Sequence, residues 1–155
     1  MSGRAPVAVV MGTRPEAIKL AGLVAGLSGD ALVVHTGQHY DAQLWENVQA
    51  DLPGMHVDEH IHCGGRSRGE QIGMATSEMT RFLSSRDIRA VVVQGDTNST
   101  LAGALAANAL GLPLVHVEAG LRSGDRRMPE EINRILVDTL ADLCCAPVER
   151  NANQL

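Results

Sequence analysis

Aromatic side chains are almost missing from this sequence. Its 155 residues include one Trp, one Tyr and one Phe, so a site that stacks a nucleobase on an aromatic ring has few candidates. No apolar run approaches the roughly 18 residues that a membrane-spanning helix needs. The formal net charge is −5, whereas a general nucleic-acid binder normally has a basic excess. The composition predicts a globular chain that acts neither within a membrane nor on nucleic acid.

Cysteine is also rare and does not occur in a disulfide pattern. Cys63, Cys144 and Cys145 are odd in number and two of them are adjacent, which argues against a disulfide framework. Cys144 and Cys145 lie in an apolar, strand-like run, and this predicts buried structural thiols. The first six residues lead directly into a strand rather than into a signal-peptide pattern. The expected location is therefore the cytoplasm.

Common cofactor and metal motifs are missing as well. The sequence has no P-loop, no G-x-G-x-x-G fingerprint and no serine nucleophile elbow. Residues 60–63 (HIHC) alternate potential metal ligands, but no second cluster has zinc spacing, so we expect no metal and no cofactor. His116 lies inside a predicted strand, where we expect a hydrogen-bonded core residue rather than a catalyst.

Strand and helix patterns alternate along the chain, which predicts βαβ units and a mostly parallel sheet. Apolar runs predict strands at residues 7–12, 31–35, 56–61, 91–94, 115–117 and 143–146. Helical spacing and capping residues predict helices at residues 15–27, 41–50, 72–83 and 97–110, a further helix from residue 129, and a last element after residue 147. We expect a single α/β domain covering residues 1–155.

Polar clusters follow four of these predicted strands at the point where each strand ends. They are residues 12–16, 36–39, 95–97 and 118–122. In an open parallel sheet, ligands bind in the crevice outside the carboxyl ends of the strands. The four clusters therefore predict one site, built from Arg, Lys, Asp, Glu and Gly.

The first cluster leads into a helix and has a composition suited to binding an anion. Free N–H groups at a helix N-terminus attract anions, and Arg14 and Lys19 add positive charge. Lys19 lies about one turn into the helix, so it can reach back towards the same anion. The alternative is a tight turn with two solvated charges.

The third cluster places Asp96 directly after a run of valines. Partial burial at this position would suit the carboxyl group to proton transfer. Asp, Thr and Ser are also ordinary helix N-caps, and capping is the alternative here. Four polar residues in succession, however, exceed what one cap needs.

Glu118 directly follows another predicted buried strand. A carboxylate at that position is costly unless it is paired or functional. Arg122 and Arg126 are nearby candidates for a salt bridge, which is the alternative to a functional role.

The helix that begins at residue 129 carries Glu130 and Glu131 in its first turn, where acids favour the helix dipole. Because this turn lies close to whatever the preceding loop encloses, one of the two can face the crevice. Apolar residues at helical spacing, including Ile132, Ile135 and Leu136, are predicted to form the buried face.

Taken in order, these motifs resemble those of the non-hydrolysing UDP-N-acetylglucosamine 2-epimerases. The motifs that carry the resemblance are residues 12–19 (GTRPEAIK), 36–39 (TGQH), 95–97 (GDT), 116–122 (HVEAGLR) and 129–134 (PEEINR). The resemblance extends from about residue 7 to residue 155. It implies a Rossmann-like parallel sheet with helices on both faces, which forms the N-terminal half of a two-domain GT-B-like fold.

The resemblance also implies a reaction. It is the interconversion of UDP-N-acetylglucosamine and UDP-N-acetylmannosamine, by elimination of UDP to a 2-acetamidoglucal and re-addition with C2 inverted. No nicotinamide or metal is required. Asp96, Glu118 and Glu130 match the essential acids of the family, and Arg14 and Lys19 match its basic residues near the departing UDP.

Further substrate contacts are implied at three positions. These are Gln38, His39 and Arg122. Many bacterial members bind a second substrate molecule as an activator through polar residues after the Gln-His pair. Tyr40 and Asp41 follow that pair here, which argues against the same activation.

The implied partners are a UDP-sugar substrate and a C-terminal domain or partner chain that completes the site. Homo-oligomer formation is compatible with the sequence. Two alternatives stay open. One is the hydrolysing relative of the family, which releases free N-acetylmannosamine and UDP. The other is a non-catalytic module that binds a sugar nucleotide or docks on a full-length homologue.

Overall fold

A parallel β-sheet lies at the centre of the computed structural model, which describes residues 5–38 and 55–155. Within these residues the strands are Val7–Met11 (β1), Ala31–His35 (β2), Glu59–His60 (β3), Ala90–Gln94 (β4), Leu114–Val117 (β5) and Leu143–Cys145 (β6). Their order in the sheet is β3-β2-β1-β4-β5-β6, and every neighbouring pair is parallel. This is the doubly wound order of Rossmann-like folds, in which the connection reverses direction between β1 and β4.

Five helices connect or follow the described strands. They are Arg14–Gly26 (α1), Arg68–Ser84 (α2), Asn98–Leu110 (α3), Pro129–Leu140 (α4) and Glu149–Ala152 (α5). Local signals explain their starts: α2 begins with a capping box between Ser67 and Glu70, and the Thr97 side chain caps α3. Gly111, with φ +64°, ends α3 in the left-handed conformation that glycine adopts without strain.

Helices cover both faces of the sheet, as predicted. Alternate residues of one strand point to opposite faces, so Val9 packs in the cluster that contains Leu20 of α1, and Val10 packs in the cluster that contains residues of α2, α3 and α4. Met79 of α2 and Val137 of α4 are fully buried in this second cluster. The carboxyl ends of the strands are left facing the loops that carry the polar clusters.

Most predicted elements are observed within one or two residues of their expected bounds, but the helix predicted at residues 72–83 begins four residues earlier, at Arg68. The helix predicted at residues 41–50 lies outside the described residues. The strand predicted at 56–61 is observed only as Glu59–His60. The side chain of Asp58 accepts a hydrogen bond from the backbone N–H of Val33 at 2.8 Å, so a carboxylate takes the place of a backbone carbonyl before β3 begins.

The prediction of buried thiols at the last strand is wrong. Cys144 is half-buried and Cys145 is exposed, whereas Cys63 is buried. β6 is an edge strand of the sheet. Leu143 and Cys145 point to the same face of it, and both are exposed.

None of the described helices is long and apolar enough to cross a membrane.

Candidate active site

A cavity of about 650 Å³ lies at the carboxyl ends of β1, β4 and β5. This volume is in the range of small-molecule sites. The cavity is lined by five of the residues predicted from sequence, namely Lys19, Gln38, Asp96, Glu118 and Glu130. The structure therefore brings together residues that are up to 111 positions apart in the chain, as the strand-end pattern predicted.

Glu118 is paired across the cavity with a lysine from another element. Its Oε2 lies 2.7 Å from Lys19 Nζ, and the side-chain amide of Gln94 donates to the same oxygen. The alternative proposed from sequence, a salt bridge to Arg122 or Arg126, is not the pairing observed, since Lys19 is the partner. Glu118 has φ +67°, a strained backbone conformation for a residue with a side chain. The turn after β5 therefore aims this carboxylate at α1.

Asp96 is held by a cation from α4. Arg134 binds the Asp96 carboxylate through Nη2, and its Nη1 lies 3.3 Å from Glu131 Oε2. The side-chain amide of Asn133 donates to the Asp96 carbonyl at 2.8 Å. Thr97, rather than Asp96, caps α3. The Asp96 side chain is thus not consumed by capping and is directed to the cavity with an arginine beside it.

The structure separates the two acids at the start of α4. Glu130 is exposed and lines the cavity. Glu131 is 2% exposed and accepts hydrogen bonds from the backbone N–H groups of Ser123 and Gly124 at 2.9 and 3.1 Å. These backbone hydrogen bonds lower the pKa of Glu131 below its ordinary value despite its burial. Glu130 therefore faces the ligand space, and Glu131 holds the loop behind it.

Glu16 is a further buried acid that sequence reasoning did not select. One carboxylate oxygen accepts from the Gly12 N–H at 2.9 Å and from the Thr13 hydroxyl at 2.8 Å. The other accepts from the hydroxyls of Thr97 at 2.7 Å and Thr100 at 3.2 Å. Burial raises the pKa of Glu16, and the four hydrogen bonds oppose this shift. Glu16 joins the start of α1 to the start of α3.

Three further residues were predicted to contact substrate, and one of them, Gln38, lines the cavity. Gln38 accepts hydrogen bonds from the backbone N–H and hydroxyl of Ser99 at 3.0 and 2.8 Å. Arg14 is exposed at the first position of α1 and lies outside the cavity lining. His39 lies outside the described residues. Substrate binding by these three residues stays a prediction.

His116 is a hydrogen-bonded core residue, which confirms the expectation from sequence. It is fully buried, and its ring nitrogens lie 2.6 Å from Asp138 Oδ1 and 2.8 Å from the Gly95 carbonyl oxygen. Arg122 Nη1 lies 2.6 Å from the other oxygen of Asp138. Arg122 is therefore bound to Asp138 outside the cavity lining, and its role in substrate binding stays a prediction.

The buried face of α4 differs from the predicted one. Ile132 and Ile135 are half-buried and Leu136 is 44% exposed, whereas Glu131 and Asn133 are buried. The helix turns this polar face inward because its side chains satisfy the loops at the strand ends. A sequence signal was present, since Glu131, Arg134 and Asp138 are polar residues at the spacing of one helix face.

The described side chains favour acid–base chemistry on an anionic ligand. Two carboxylates, Asp96 and Glu118, line the cavity, and each contacts a cationic side chain, Arg134 and Lys19 respectively. Glu130 adds a third carboxylate, and Lys19, which is paired with Glu118, places a positive charge beside the same space. Within residues 5–38 and 55–155, no three His, Cys, Asp or Glu side chains are arranged to hold a metal ion.

Comparison with known proteins gives a consistent family. A family model described as UDP-N-acetylglucosamine 2-epimerase matches residues 27–155. The UDP-N-acetylglucosamine 2-epimerase of Methanocaldococcus jannaschii is 41% identical over 152 residues, which cover 96% of this chain and 42% of the relative. The UDP-2,3-diacetamido-2,3-dideoxy-D-glucuronate 2-epimerase of Pseudomonas aeruginosa is 39% identical over 145 residues, covering 91% of this chain and 41% of the relative.

The fold has the same counterpart among solved structures. The crystal structure of the Methanocaldococcus jannaschii UDP-GlcNAc 2-epimerase, in complex with UDP-GlcNAc and UDP, superimposes with a TM-score of 0.91 and 40% identity. The match covers 96% of this chain and 42% of that one. This chain spans about two fifths of the length of the relatives it matches.

Proposed function

The chain belongs to the UDP-N-acetylglucosamine 2-epimerase family, and from this premise we propose that it is the N-terminal, acid-bearing half of an active site that interconverts UDP-N-acetylglucosamine and UDP-N-acetylmannosamine. One observation carries the proposal. Asp96, Glu118 and Glu130 line a single cavity together with Lys19. Inversion at C2 needs a group that removes a proton from one face of the sugar and a group that returns one to the other face.

The proposed reaction is an elimination followed by an addition. A carboxylate takes the C2 proton, the bond between C1 and the diphosphate oxygen breaks, and UDP leaves a 2-acetamidoglucal. UDP then adds back to C1 as a proton is delivered to the opposite face of C2. Asp96 contacts Arg134 and Glu118 contacts Lys19. One of the three carboxyl groups takes the C2 proton in this proposal, and another, in its protonated form, returns a proton to the opposite face.

Lys19 has a second role in this proposal. Its side chain is 51% exposed, so it can move from Glu118 to a ligand at low cost. A lysine ammonium placed beside the diphosphate stabilises the negative charge that develops as UDP leaves. Arg14, one turn earlier on α1, is proposed to act with it.

We propose that the rest of the site comes from a second domain or partner chain. The matched relatives are more than twice as long as this chain. The chain offers few aromatic rings on which a uracil ring can stack.

The scarcity of cysteine supports the cytoplasm as the place of action.

Exchange of the C2 hydrogen tests this proposal directly. The chain is fused to the remaining part of the Methanocaldococcus jannaschii relative and incubated with UDP-N-acetylglucosamine in deuterated water. We expect deuterium at C2 and formation of the epimer, and we expect the Asp96→Asn, Glu118→Gln and Glu130→Gln variants to lose about 10²- to 10⁴-fold in rate. Asp87→Asn, at an exposed acid far from the cavity, is the matched control.

Other products would redirect the proposal. Free N-acetylmannosamine would identify the hydrolysing reaction. Binding of UDP-N-acetylglucosamine by the chain alone, measured by calorimetry, without exchange in the folded fusion would favour the non-catalytic binding module.

A second substrate is a candidate because of one comparison. The Pseudomonas aeruginosa relative, whose name assigns it a diacetamido-glucuronate sugar, is 39% identical to this chain, and so is the UDP-N-acetylglucosamine 2-epimerase of Methanococcus maripaludis. Offering both UDP-sugars to the same fusion, and comparing the rates of C2 exchange, distinguishes the two substrates.

A further inference from the structure

The buried His116–Asp138 pair contacts both turns that carry the proposed acids. His116 Nε2 lies 2.8 Å from the Gly95 carbonyl oxygen, and the backbone N–H of Gly120 donates to Asp138 Oδ2 at 3.2 Å. Gly95 directly precedes Asp96, and Gly120 is two residues after Glu118. One side-chain pair therefore connects the turn after β4 to the turn after β5.

The hydrogen-bond partners determine the protonation of the histidine ring. A carbonyl oxygen only accepts, so Nε2 carries a proton towards Gly95. Burial opposes ionisation of Asp138, yet hydrogen bonds from His116 and Arg122 lower its pKa below the ordinary value. The other ring nitrogen, Nδ1, lies 2.6 Å from Asp138 Oδ1 and forms a hydrogen bond with it.

The turns that this pair contacts have unusual backbone geometry. Gly95 and Gly120 have φ values of +75° and +78°, and Glu118 itself has φ +67°. Such conformations persist only where the surroundings impose them, especially at a residue with a side chain. The two hydrogen bonds from the pair supply part of that constraint.

We propose that His116 and Asp138 are positioning residues that hold Asp96 and Glu118 in their working relation across the cavity. The proposal rests on the function proposed above, since it concerns the placement of the same acids. Neither His116 nor Asp138 lines the cavity, so they act through the backbone of the two turns. Displacing a reacting group by about 1 Å can lower a rate roughly 10²-fold.

A role in stability alone predicts different effects of substitution at His116 and Asp138 than a positioning role does. A buried ion pair can often be replaced by apolar side chains of similar volume with little loss of stability. An apolar pair would fill the same space but would leave the Gly95 carbonyl and the Gly120 N–H without partners. A role confined to packing therefore predicts a stability effect only, whereas positioning predicts a loss of kcat with little change in KM.

Three variants separate these possibilities. His116→Phe keeps a ring and removes both nitrogens, and Asp138→Leu keeps volume and removes the acceptor. Asp138→Asn is the rescue variant, because its amide can donate to the neutral ring while its oxygen accepts from Gly120 and Nε2–H still donates to Gly95. His56→Phe, at an exposed histidine, is the matched control.

The first measurement uses the chain alone and needs no activity. Nitrogen-15 NMR of the histidine rings is expected to show a proton on Nε2 of His116 and hydrogen bonds at both of its ring nitrogens. In His116→Phe and Asp138→Leu we expect the amide signals of Asp96 and Glu118 to shift and their exchange protection to fall, and we expect neither effect in Asp138→Asn or His56→Phe. Unchanged amide signals in the folded His116→Phe or Asp138→Leu chain would overturn the proposal.

The second measurement uses the fusion described above. We expect kcat for His116→Phe and Asp138→Leu to fall about 10- to 100-fold, with KM changed less than about threefold, and we expect Asp138→Asn to keep most of kcat. If His116→Phe does not fold, the two Asp138 variants decide the question. A fusion without any C2 exchange would contradict the proposed function, while the NMR measurement would still decide whether the pair places the two turns.

Discussion

Helices α1 and α4 line different parts of the cavity, and each carries a buried glutamate near its start. We call these helices, with the turns that contact them, the α1 wall and the α4 wall; the two glutamates have different hydrogen-bond donors. The α1 wall contains Glu16 and the α4 wall contains Glu131, each 2% exposed and each in the first turn of its helix. Both carboxylates reach back to the backbone that precedes the helix. Glu16 receives three hydroxyl groups and one N–H, whereas Glu131 receives two backbone N–H groups, Arg134 and a single hydroxyl group, that of Ser123.

The donors around Glu16 and Glu131 differ in what they require of the carboxyl group. Hydroxyl groups can rotate and either donate or accept, so the α1 wall does not require an anion at Glu16. Backbone N–H groups and a guanidinium only donate, so the α4 wall requires an acceptor at Glu131. The pKa of Glu16 is raised by burial, and the pKa of Glu131 is lowered by its donors. Arg134 contacts both Glu131 and Asp96, so the α4 wall connects the buried acid to the acid that lines the cavity.

The largest loss of stability that we expect comes from adding a methyl group to one glycine beside each wall. Gly12 donates its N–H to Glu16 of the α1 wall, and Gly120 lies in the turn that Asp138 of the α4 wall contacts. A Cβ on Gly120 would lie 2.1 Å from the backbone oxygen of Asn151, and Gly120 has φ +78°. A Cβ on Gly12 would lie 1.9 and 2.3 Å from the hydroxyl oxygens of Ser99 and Thr36, which can rotate away, and 2.8 Å from the Cβ of Ser99, which cannot. We expect Gly120→Ala to cost about 2–5 kcal/mol and Gly12→Ala about 1–3 kcal/mol of unfolding free energy in urea.

Equal losses in the two glycine variants would break the comparison. They would mean that the backbone at the α1 wall is held as rigidly as the backbone at the α4 wall.

A smaller effect is expected from neutralising the two buried acids. In Glu131→Gln, one of the N–H groups of Ser123 and Gly124 faces an amide that cannot accept, so we expect a loss of about 1–3 kcal/mol. In Glu16→Gln, the oxygen can stay with Gly12 while the amide donates to threonine hydroxyls, which then act as acceptors. We expect this variant to lose less than about 1 kcal/mol. Urea unfolding of both variants measures the difference.

A larger loss of stability in Glu16→Gln than in Glu131→Gln would show that the threonine hydroxyls cannot rotate to accept hydrogen bonds from the new amide. Gln154→Glu, which alters an exposed side chain near the end of the chain, serves as a control for the effect of a Gln/Glu exchange on the unfolding assay.

Local patterns predicted the sheet and the location of the site because both depend on short segments. Apolar runs end where polar residues begin, and parallel strands bring those ends to one edge. The partners of the acids were not predictable in the same way. Lys19 meets Glu118 across 99 positions of sequence, and Arg134 meets Asp96 because α4 turns a polar face inward. The rotation of α4 about its axis is decided by the loops that Glu131 and Asp138 satisfy, so apolar periodicity alone placed Leu136 wrongly in the core.

The smallest effect that we expect is a pair of opposite pH slopes. The pKa of Glu16 lies above its ordinary 4.5 in the folded chain, so just above pH 4.5 the folded state keeps a proton that the unfolded state has lost. The wild-type chain should therefore lose stability relative to Glu16→Gln as pH rises from 4.5 through the raised pKa. The pKa of Glu131 lies below 4.5, so the advantage of wild type over Glu131→Gln should shrink as pH falls below 4.5. Urea unfolding in buffers on both sides of this pH measures the two slopes. Slopes of the same sign would mean that the two carboxylates are held in the same way after all.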